Sequence, residues 1–170
     1  MFQDYKIFAA TIAENVMGGE YTDADEEAVM SALRAASFDE KLKQLPNGIH
    51  SQLTTEFSQD GVGLSGGESQ KIAIARVFAR PFELIIMDEP SSALDPIAEY
   101  ELNQSILTNA KGKTIIFISH RLSTTRMADR IYMFDDGEIV ECGSHDELMR
   151  LDGQYAEMYR IQAKKYKLQY

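Results

Sequence analysis

Two adjacent carboxylates follow an apolar run in the second half of the chain. Leu84–Met87 reads Leu-Ile-Ile-Met, and Asp88 and Glu89 come directly after it. Ligands of open α/β sheets gather at the carboxyl ends of strands, where an aspartate can hold Mg²⁺ directly or through water. The neighbouring glutamate can orient or deprotonate an attacking water. Two such acids can also simply face solvent, but the sequence Pro90–Asp95 that follows them favours the hydrolytic interpretation.

A glycine-bearing turn lies upstream of this strand, at Leu64–Glu68. Glycines let a backbone approach a ligand closely and point successive N–H groups outward, and a following helix adds the positive end of its dipole. Ser65 can donate a hydroxyl hydrogen bond, so Ser65, Gly66 and Gly67 together predict an anion cradle. Ser-Gly-Gly before a helix is more often a plain turn. The longer segment Leu64–Arg76 is far more specific for a ligand-binding turn than these three residues alone.

One histidine stands at a comparable place. His120 follows a second apolar run, Ile115–Ile118, and is expected to leave the sheet at the same edge as the two carboxylates. That position suits contact with a terminal phosphate, although a lone histidine is more often structural. His50 and His145 have no such context, and we expect both at the surface.

The phosphate-cradling loop G-x-x-x-x-G-K-[ST] is absent from the 170 residues. Gly112–Thr114 resembles the end of such a loop, but Leu107 occupies the place of the first glycine. A strand is also predicted to follow, where the loop requires a helix. We interpret this segment as a helix stop and a strand start, so the sequence carries the second half of a nucleotide site without the first.

Residues 11–80 are predicted to be mainly helical. Thr22 precedes an acidic first turn, and the apolar positions after it recur at helical spacing. Ser37-x-x-Glu40 predicts a capping box at the start of a second helix. A third helix is predicted over residues 68–79.

From residue 82 the pattern changes to strands. Leu84–Met87 and Ile115–Ile118 are continuous apolar runs, as expected of strands buried on both faces. Asp95 is expected to cap the helix between them, with Pro96 at its first position. Strand, helix, strand implies a right-handed parallel crossover.

The last third of the chain predicts a hairpin and two helices. Asp135–Gly137 separates two short apolar segments, which is typical of a hairpin turn. Ser144-x-x-Glu147 predicts a capping box for one helix, and a last helix is expected from about Gly153.

Composition bounds the class of protein. With 44% hydrophobic and 26% charged residues, the chain resembles a soluble globular domain. Its net charge of −10 argues against a nucleic-acid partner. No apolar run approaches the ~18 residues of a membrane span, and the single cysteine, Cys142, provides no disulfide framework.

Together these motifs resemble the nucleotide-binding domain of ABC (ATP-binding cassette) transporters over essentially the whole chain. Leu64–Glu68 is similar to the family signature, with Glu68 where glutamine is more usual, and Leu84–Pro90 is similar to the Walker B strand. Ser92–Asp95 resembles the D-loop, and Phe2–Asp4 resembles the Q-loop. His120 is similar to the switch histidine.

The resemblance implies the fold. We expect an α/β, partial P-loop NTPase domain that extends over residues 1–170. A helical lobe bearing the signature would occupy about residues 8–80. An incomplete, mainly parallel sheet with flanking helices would occupy about residues 81–170.

The resemblance also implies two ligands, ATP and Mg²⁺. Gln3 and Asp88 would position the metal ion, Glu89 the attacking water, and His120 the γ-phosphate. Asp95 would act across the interface of a head-to-tail dimer.

In such a dimer each ATP lies between two nucleotide-binding domains. The residues of this chain that would face ATP held by the second domain are those of the signature, Ser65, Gly66, Gly67 and Glu68.

The subclass resembled is that of exporters, on the strength of Phe8–Val16 and Gly137–Leu148. In exporters the domain usually follows a membrane domain on the same chain and lies at the cytoplasmic face of the membrane, where ATP hydrolysis powers transport. Thr55–Gly61 lies where exporters carry a loop that contacts the membrane domain, although Ser58 and Gln59 depart from its usual pattern.

Two functions from different classes stay open. The Walker A loop should lie upstream of Gln3, so the chain is expected to be a piece of a longer protein, with Met1 an internal methionine or an artificial start. It would then be the C-terminal part of an exporter ATPase, inactive in isolation. The alternative is a non-catalytic module that lends its signature loop to an intact partner, or blocks it. A chromosome-maintenance or DNA-repair ATPase fits less well, since the chain is acidic and has an exporter-like ending.

Overall fold

The computed structural model describes residues 5–54, 61–91, 94–109 and 112–167. The helices within them are α1 (Ile12–Met17), α2 (Glu26–Ala35), α3 (Asp39–Lys43), α4 (Gly66–Phe78), α5 (Pro96–Asn109), α6 (Leu122–Arg126), α7 (His145–Leu151) and α8 (Gln154–Lys167). The strands are β1 (Leu84–Asp88), β2 (Thr114–Ile118), β3 (Ile131–Asp135) and β4 (Glu138–Gly143). The chain divides into two compact units, Met1–Ile118 and Ser119–Tyr170. The subdomain boundary near residue 80 stays a prediction.

The helical part of the first unit is built around α4, against which α1 and α2 both pack. Each helix buries an apolar stripe, as its spacing predicts. The side chains at the centre of this packing are Ile12, Val16, Val29, Leu33, Ile72 and Ile74. The acidic start predicted after Thr22 is confirmed, since Thr22 and Asp25 form a capping box around a short 3₁₀ turn that leads into α2.

The capping box predicted at Ser37 is wrong. Ser37 lies in the left-handed region, at φ 55°, and ends α2 instead of starting α3. The amide of Phe38 reaches back to the carbonyl of Leu33 at 3.0 Å, the bond that closes a helix end of this kind. Phe38 is 1% exposed and anchors the turn, so α3 begins at Asp39 without a side-chain cap.

The sheet of the first unit has two parallel strands, β1 and β2, joined by α5, so the predicted parallel pairing is confirmed. The prediction that these strands are buried on both faces is wrong. Ile85 and Met87 are buried, whereas Leu84 is 53% and Ile86 47% exposed. The apolar run therefore covers a core with one face only.

The second unit contains the predicted hairpin and helices. Asp136 and Gly137 both have positive φ, at 45° and 82°, as a two-residue primed turn requires. The Ser144 capping box starts α7, as predicted. His145 is not a plain surface residue: it is half-buried, and its Nδ1 lies 2.9 Å from the hydroxyl of Tyr155 in the core of this unit.

Asn15 links helix α1 to α4 and to the segment that precedes α1. Asn15 is 0% exposed. Its Oδ1 accepts from the amide of Phe8 at 2.8 Å, and its Nδ2 donates to the carbonyls of Phe8 and Thr11 at 3.0 Å each. Its own carbonyl accepts from Nε of Arg76 at 2.8 Å. The side-chain amide thus satisfies the main-chain N–H and C=O of Phe8, in the segment that precedes α1.

Replacing Asn15 by alanine should lower the free energy of unfolding by about 2 kcal/mol, because paired main-chain groups lose their partner inside the protein. Urea unfolding followed by circular dichroism measures the change. The exposed Asn47 provides the control: Asn47→Ala should stay within about 0.5 kcal/mol of the wild type. Equal unfolding midpoints for the two variants would contradict the prediction.

Candidate functional site

The carboxylate pair lies at the carboxyl end of β1. Asp88 is the last residue of the strand and stands opposite Ile118 in register. The amide of Glu89 donates to the carbonyl of Ile118 at 2.9 Å, so the pairing extends one residue beyond the strand. This confirms the predicted strand end, at the edge of the sheet where ligands of α/β proteins bind.

Glu89 has an unusual backbone conformation. Its φ is 46°, in the left-handed region that non-glycine residues seldom adopt. Such conformations persist when the surroundings impose them, and they cluster at functional sites. One oxygen of its carboxylate, Oε2, is buried.

The predicted anion cradle starts α4. Ser65 is the N-cap, and its hydroxyl oxygen accepts from the amide of Glu68 at 3.2 Å. The amide of Ser65 donates in return to Oε2 of Glu68 at 2.7 Å. We call Ser65–Glu68 the glycine turn. Because of this exchange the helix begins at Gly66, two residues earlier than predicted.

The electrostatics of the glycine turn depend on Lys41. Its ammonium lies 3.0 Å from Oε1 of Glu68. Partial burial disfavours the charged form of Glu68, but the hydrogen bonds from the Ser65 amide and from Lys41 outweigh it, and the pKa of Glu68 falls below its ordinary value. Glu68 is thus ionised at neutral pH, and Lys41 compensates its charge beside a turn that would receive an anion.

Asp95 caps α5, as predicted. Its Oδ1 accepts from the amides of Ile97 and Ala98 at 2.9 and 3.0 Å. These bonds, first the one from Ala98, lower the pKa of the Asp95 carboxyl. Ser92 and Ala93, which belong with Asp95 to the segment that resembles the D-loop, lie outside the described residues.

His120 belongs to the second unit, two residues beyond the end of β2. Its side chain is exposed. Its carbonyl accepts from Nε2 of Gln162 on α8 at 2.8 Å, and the amide of Arg121 donates to the hydroxyl of Ser119 at 3.1 Å. The loop that bears His120 is therefore attached to α8. That the histidine shares a site with the carboxylates stays a prediction.

The proposed metal ligands are only partly described. Gln3 lies outside the described residues. Within the described ranges, no three His, Cys, Asp or Glu side chains lie close enough together to hold a metal ion. Mg²⁺ does not require such a cage, since it is commonly held by one or two carboxylates together with substrate phosphates and water. The hard carboxylate oxygens of Asp88 fit that mode.

Sequence reasoning missed two residues that contact the glycine turn. Lys41 contacts Glu68, and the hydroxyl of Tyr5 donates to the carbonyl of Gly66 at 2.8 Å. Neither residue lies in a motif or near the turn in sequence. No local signal could have found them.

The comparisons identify the family. The family profile described as ABC transporter matches residues 1–92, more than half of the chain. The chain therefore belongs to the ABC transporter family.

Its similar curated relatives include "ATP-dependent lipid A-core flippase" of Legionella pneumophila (strain Paris), 41% identical over 160 residues, which are 94% of this chain and 26% of the relative. The flippase of the same description from Chromohalobacter salexigens is 42% identical over 160 residues, 94% of this chain and 27% of the relative. The chain thus spans about a quarter of the length of the curated relatives it matches.

A solved structure supports the fold class. The structure of a bacterial Atm1-family ABC exporter with ATP bound matches with a TM-score of 0.81 and 36% identity, over 95% of this chain and 28% of that chain. The predicted exporter-type α/β fold is confirmed. In the described part of this chain, no helix has both the length and the apolarity needed to cross a membrane.

The contact between Lys41 and Glu68 should stabilise the protein in a pH-dependent way. A partly exposed ion pair couples by about 0.5 kcal/mol. Because folding lowers the pKa of Glu68, this stabilisation is complete above the unfolded value of about 4.3 and is lost as the pH falls through the folded value. A double-mutant cycle of Lys41→Met and Glu68→Gln, measured by urea unfolding at pH 7 and pH 3, should give weaker coupling at pH 3 than at pH 7.

Glutamine suits this cycle because it can keep the capping box while losing the charge. The pair Lys43 and Glu40, with side chains 69% and 85% exposed, is the matched control and should couple more weakly. Coupling between Lys41 and Glu68 that persisted undiminished at pH 3 would refute the assignment.

Proposed function

We propose that the chain is part of the nucleotide-binding domain of an ABC exporter, where ATP binding and hydrolysis at the cytoplasmic face of the membrane power export. The observation that carries the proposal is the Asp88–Glu89 pair at the end of β1, with Glu89 in the left-handed backbone region. Family membership and the names of the relatives support it.

Asp88 and Glu89 have different roles at the ATP that this domain would hold. Glu89 accepts a proton from the attacking water through its carboxylate and orients that water. Asp88 and Gln3 would hold Mg²⁺, which supplies charge neutralisation on the phosphate oxygens when bound. His120 donates a hydrogen bond to the γ-phosphate.

The glycine turn serves the ATP of a second nucleotide-binding domain. The first N–H groups of a helix have no intrahelical partner and carry the positive end of the dipole, so they suit an anion. Ser65 is exposed, and its hydroxyl hydrogen can point outward while its oxygen caps the helix. Asp95 acts across the same interface.

The chain alone should show no useful ATPase activity. A phosphate loop supplies several backbone donors, a lysine and a hydroxyl, and charge-assisted bonds of this kind contribute roughly 1.5–3 kcal/mol each. Losing three or four costs about 5–12 kcal/mol, which is at least about a thousandfold in affinity. Phosphate release by the purified chain should equal that of its Glu89→Gln variant. Saturable turnover that this substitution abolished would contradict the expectation.

A second function is favoured by a specific observation: the glycine turn is completely formed, with its cap and its charge compensation, within the first unit. The chain could therefore lend this turn to an intact nucleotide-binding domain without hydrolysing ATP itself. Both functions require ATP-dependent association with such a domain.

Ser65→Asp should weaken that association. Aspartate is as good an N-cap as serine, so the fold is kept, but its charge repels the phosphate. The loss should be at least about tenfold in Kd, measured by analytical ultracentrifugation with ATP and the isolated nucleotide-binding domain of the Legionella flippase. Ser144→Asp makes the same change at the α7 cap and should associate like the wild type. Failure of the wild-type chain to associate would overturn the lending function.

A further inference from the structure

The peptide that joins Gly66 to Gly67 lies in the first turn of α4, where its C=O is the acceptor of an i to i+4 helical bond. Neither residue carries a Cβ, so both flanking torsions are less restricted than elsewhere in the turn. The capping box fixes Ser65 and Glu68 but includes neither group of this peptide. Its N–H is one of the first-turn donors that a phosphate would contact.

The hydroxyl of Tyr5 is a second donor to the carbonyl of that peptide. It donates to the Gly66 carbonyl at 2.8 Å. A trans peptide is planar, so its C=O and N–H groups point in opposite directions. Fixing the carbonyl of Gly66 therefore fixes the direction of the Gly67 N–H. A hydrogen bond accepted by the carbonyl also polarises the amide and strengthens its N–H as a donor.

Tyr5 is itself anchored to α4. Nη2 of Arg76 donates to the carbonyl of Lys6 at 3.1 Å, and the Arg76 guanidinium carbon lies 5.0 Å from the centre of the Phe8 ring. Asn15 bonds the main chain of Phe8 in both directions. Burial raises the pKa of Tyr5, so its hydroxyl keeps its proton at neutral pH. The segment is thus joined to the far end of the helix whose first peptide it holds.

We propose that Tyr5 is a positioning residue of the glycine turn: its hydroxyl holds the Gly66–Gly67 peptide so that the Gly67 N–H points out of α4 towards the phosphate of ATP on a partner domain. The proposal rests on the function proposed for the turn. It assigns the hydroxyl, and not the ring, the effect on nucleotide-dependent association.

The first test observes the peptide directly. Gly-Gly pairs occur in this sequence only at Gly18–Gly19 and Gly66–Gly67. A chain labelled with carbonyl-¹³C and ¹⁵N glycine therefore gives only two carbonyl–nitrogen correlations. In Tyr5→Phe the Gly66–Gly67 signal should move, because its carbonyl loses a donor, while the Gly18–Gly19 signal stays as an internal reference. An unmoved Gly66–Gly67 signal would overturn the proposal.

The second test measures association with the same flippase domain in the presence of ATP. Tyr5→Phe should raise Kd about fivefold, the effect of one hydrogen bond. Tyr21→Phe, which removes the hydroxyl of a ring packed edge-on to His50, is the matched control and should leave Kd unchanged. Thermal unfolding should be alike for both variants. If Tyr5 had only a structural role, Tyr5→Phe would lower the stability without a selective change in Kd.

The outcomes separate the two proposals. If the wild-type chain does not associate with the ATP-loaded domain, the function proposed for the glycine turn fails. If the wild type associates and Tyr5→Phe binds as tightly, or if Tyr5→Phe weakens binding no more than Tyr21→Phe, only the positioning role fails. Selective weakening together with the moved Gly66–Gly67 signal supports it.

Discussion

The exchange of hydrogen bonds between Ser65 and Glu68 is the interaction on which the site depends. A helix end leaves its first N–H groups without partners, and a protein must cap them or offer them to a ligand. Here two main-chain donors are consumed by the capping box. The helix start is thereby fixed, and the exchange leaves the glycine amides between the two residues out of its bonds. The same few residues thus satisfy the demands of folding and create the geometry that suits an anion.

That arrangement brings a carboxylate to a place that should attract phosphate, and Lys41 resolves the conflict. Its ammonium lies beside Glu68 and neutralises the charge locally, within 3.0 Å. Glutamine at this position would need no such compensation. The capping and the charge balance of the turn are therefore linked, since a residue on α3 permits an acid at the third position of α4.

The features that could be predicted from the sequence are those encoded by neighbouring residues. The caps at Asp95 and Ser144, the hairpin turn at Asp136 and Gly137, and the carboxylates at the carboxyl end of β1 are all encoded within a few residues, and the structure has each of them. The pattern at Ser37 was equally local but misled, because a buried Phe38 makes the serine end one helix instead of starting the next.

Contacts over long sequence separations left no trace that periodicity could detect. Tyr5 reaches Gly66 from 61 residues away. The one-sided burial of β1 is likewise set by which of its two faces packs against other elements, and not by the residues of β1 themselves. Leu84 and Ile86 read as interior residues because every position of the run is apolar, whereas the described structure covers only the Ile85 and Met87 side.

The net charge of −10 bears differently on long-range and on local recognition. At physiological ionic strength exposed charges are screened beyond about 8 Å, so the summed charge governs encounters with extended polyanions and not the energy inside one turn. In the glycine turn the donors are uncharged N–H groups and a hydroxyl, and the one acid has its own cation. The net negative charge therefore does not exclude an anion at the turn, because the turn supplies directed dipoles and its acid is locally compensated.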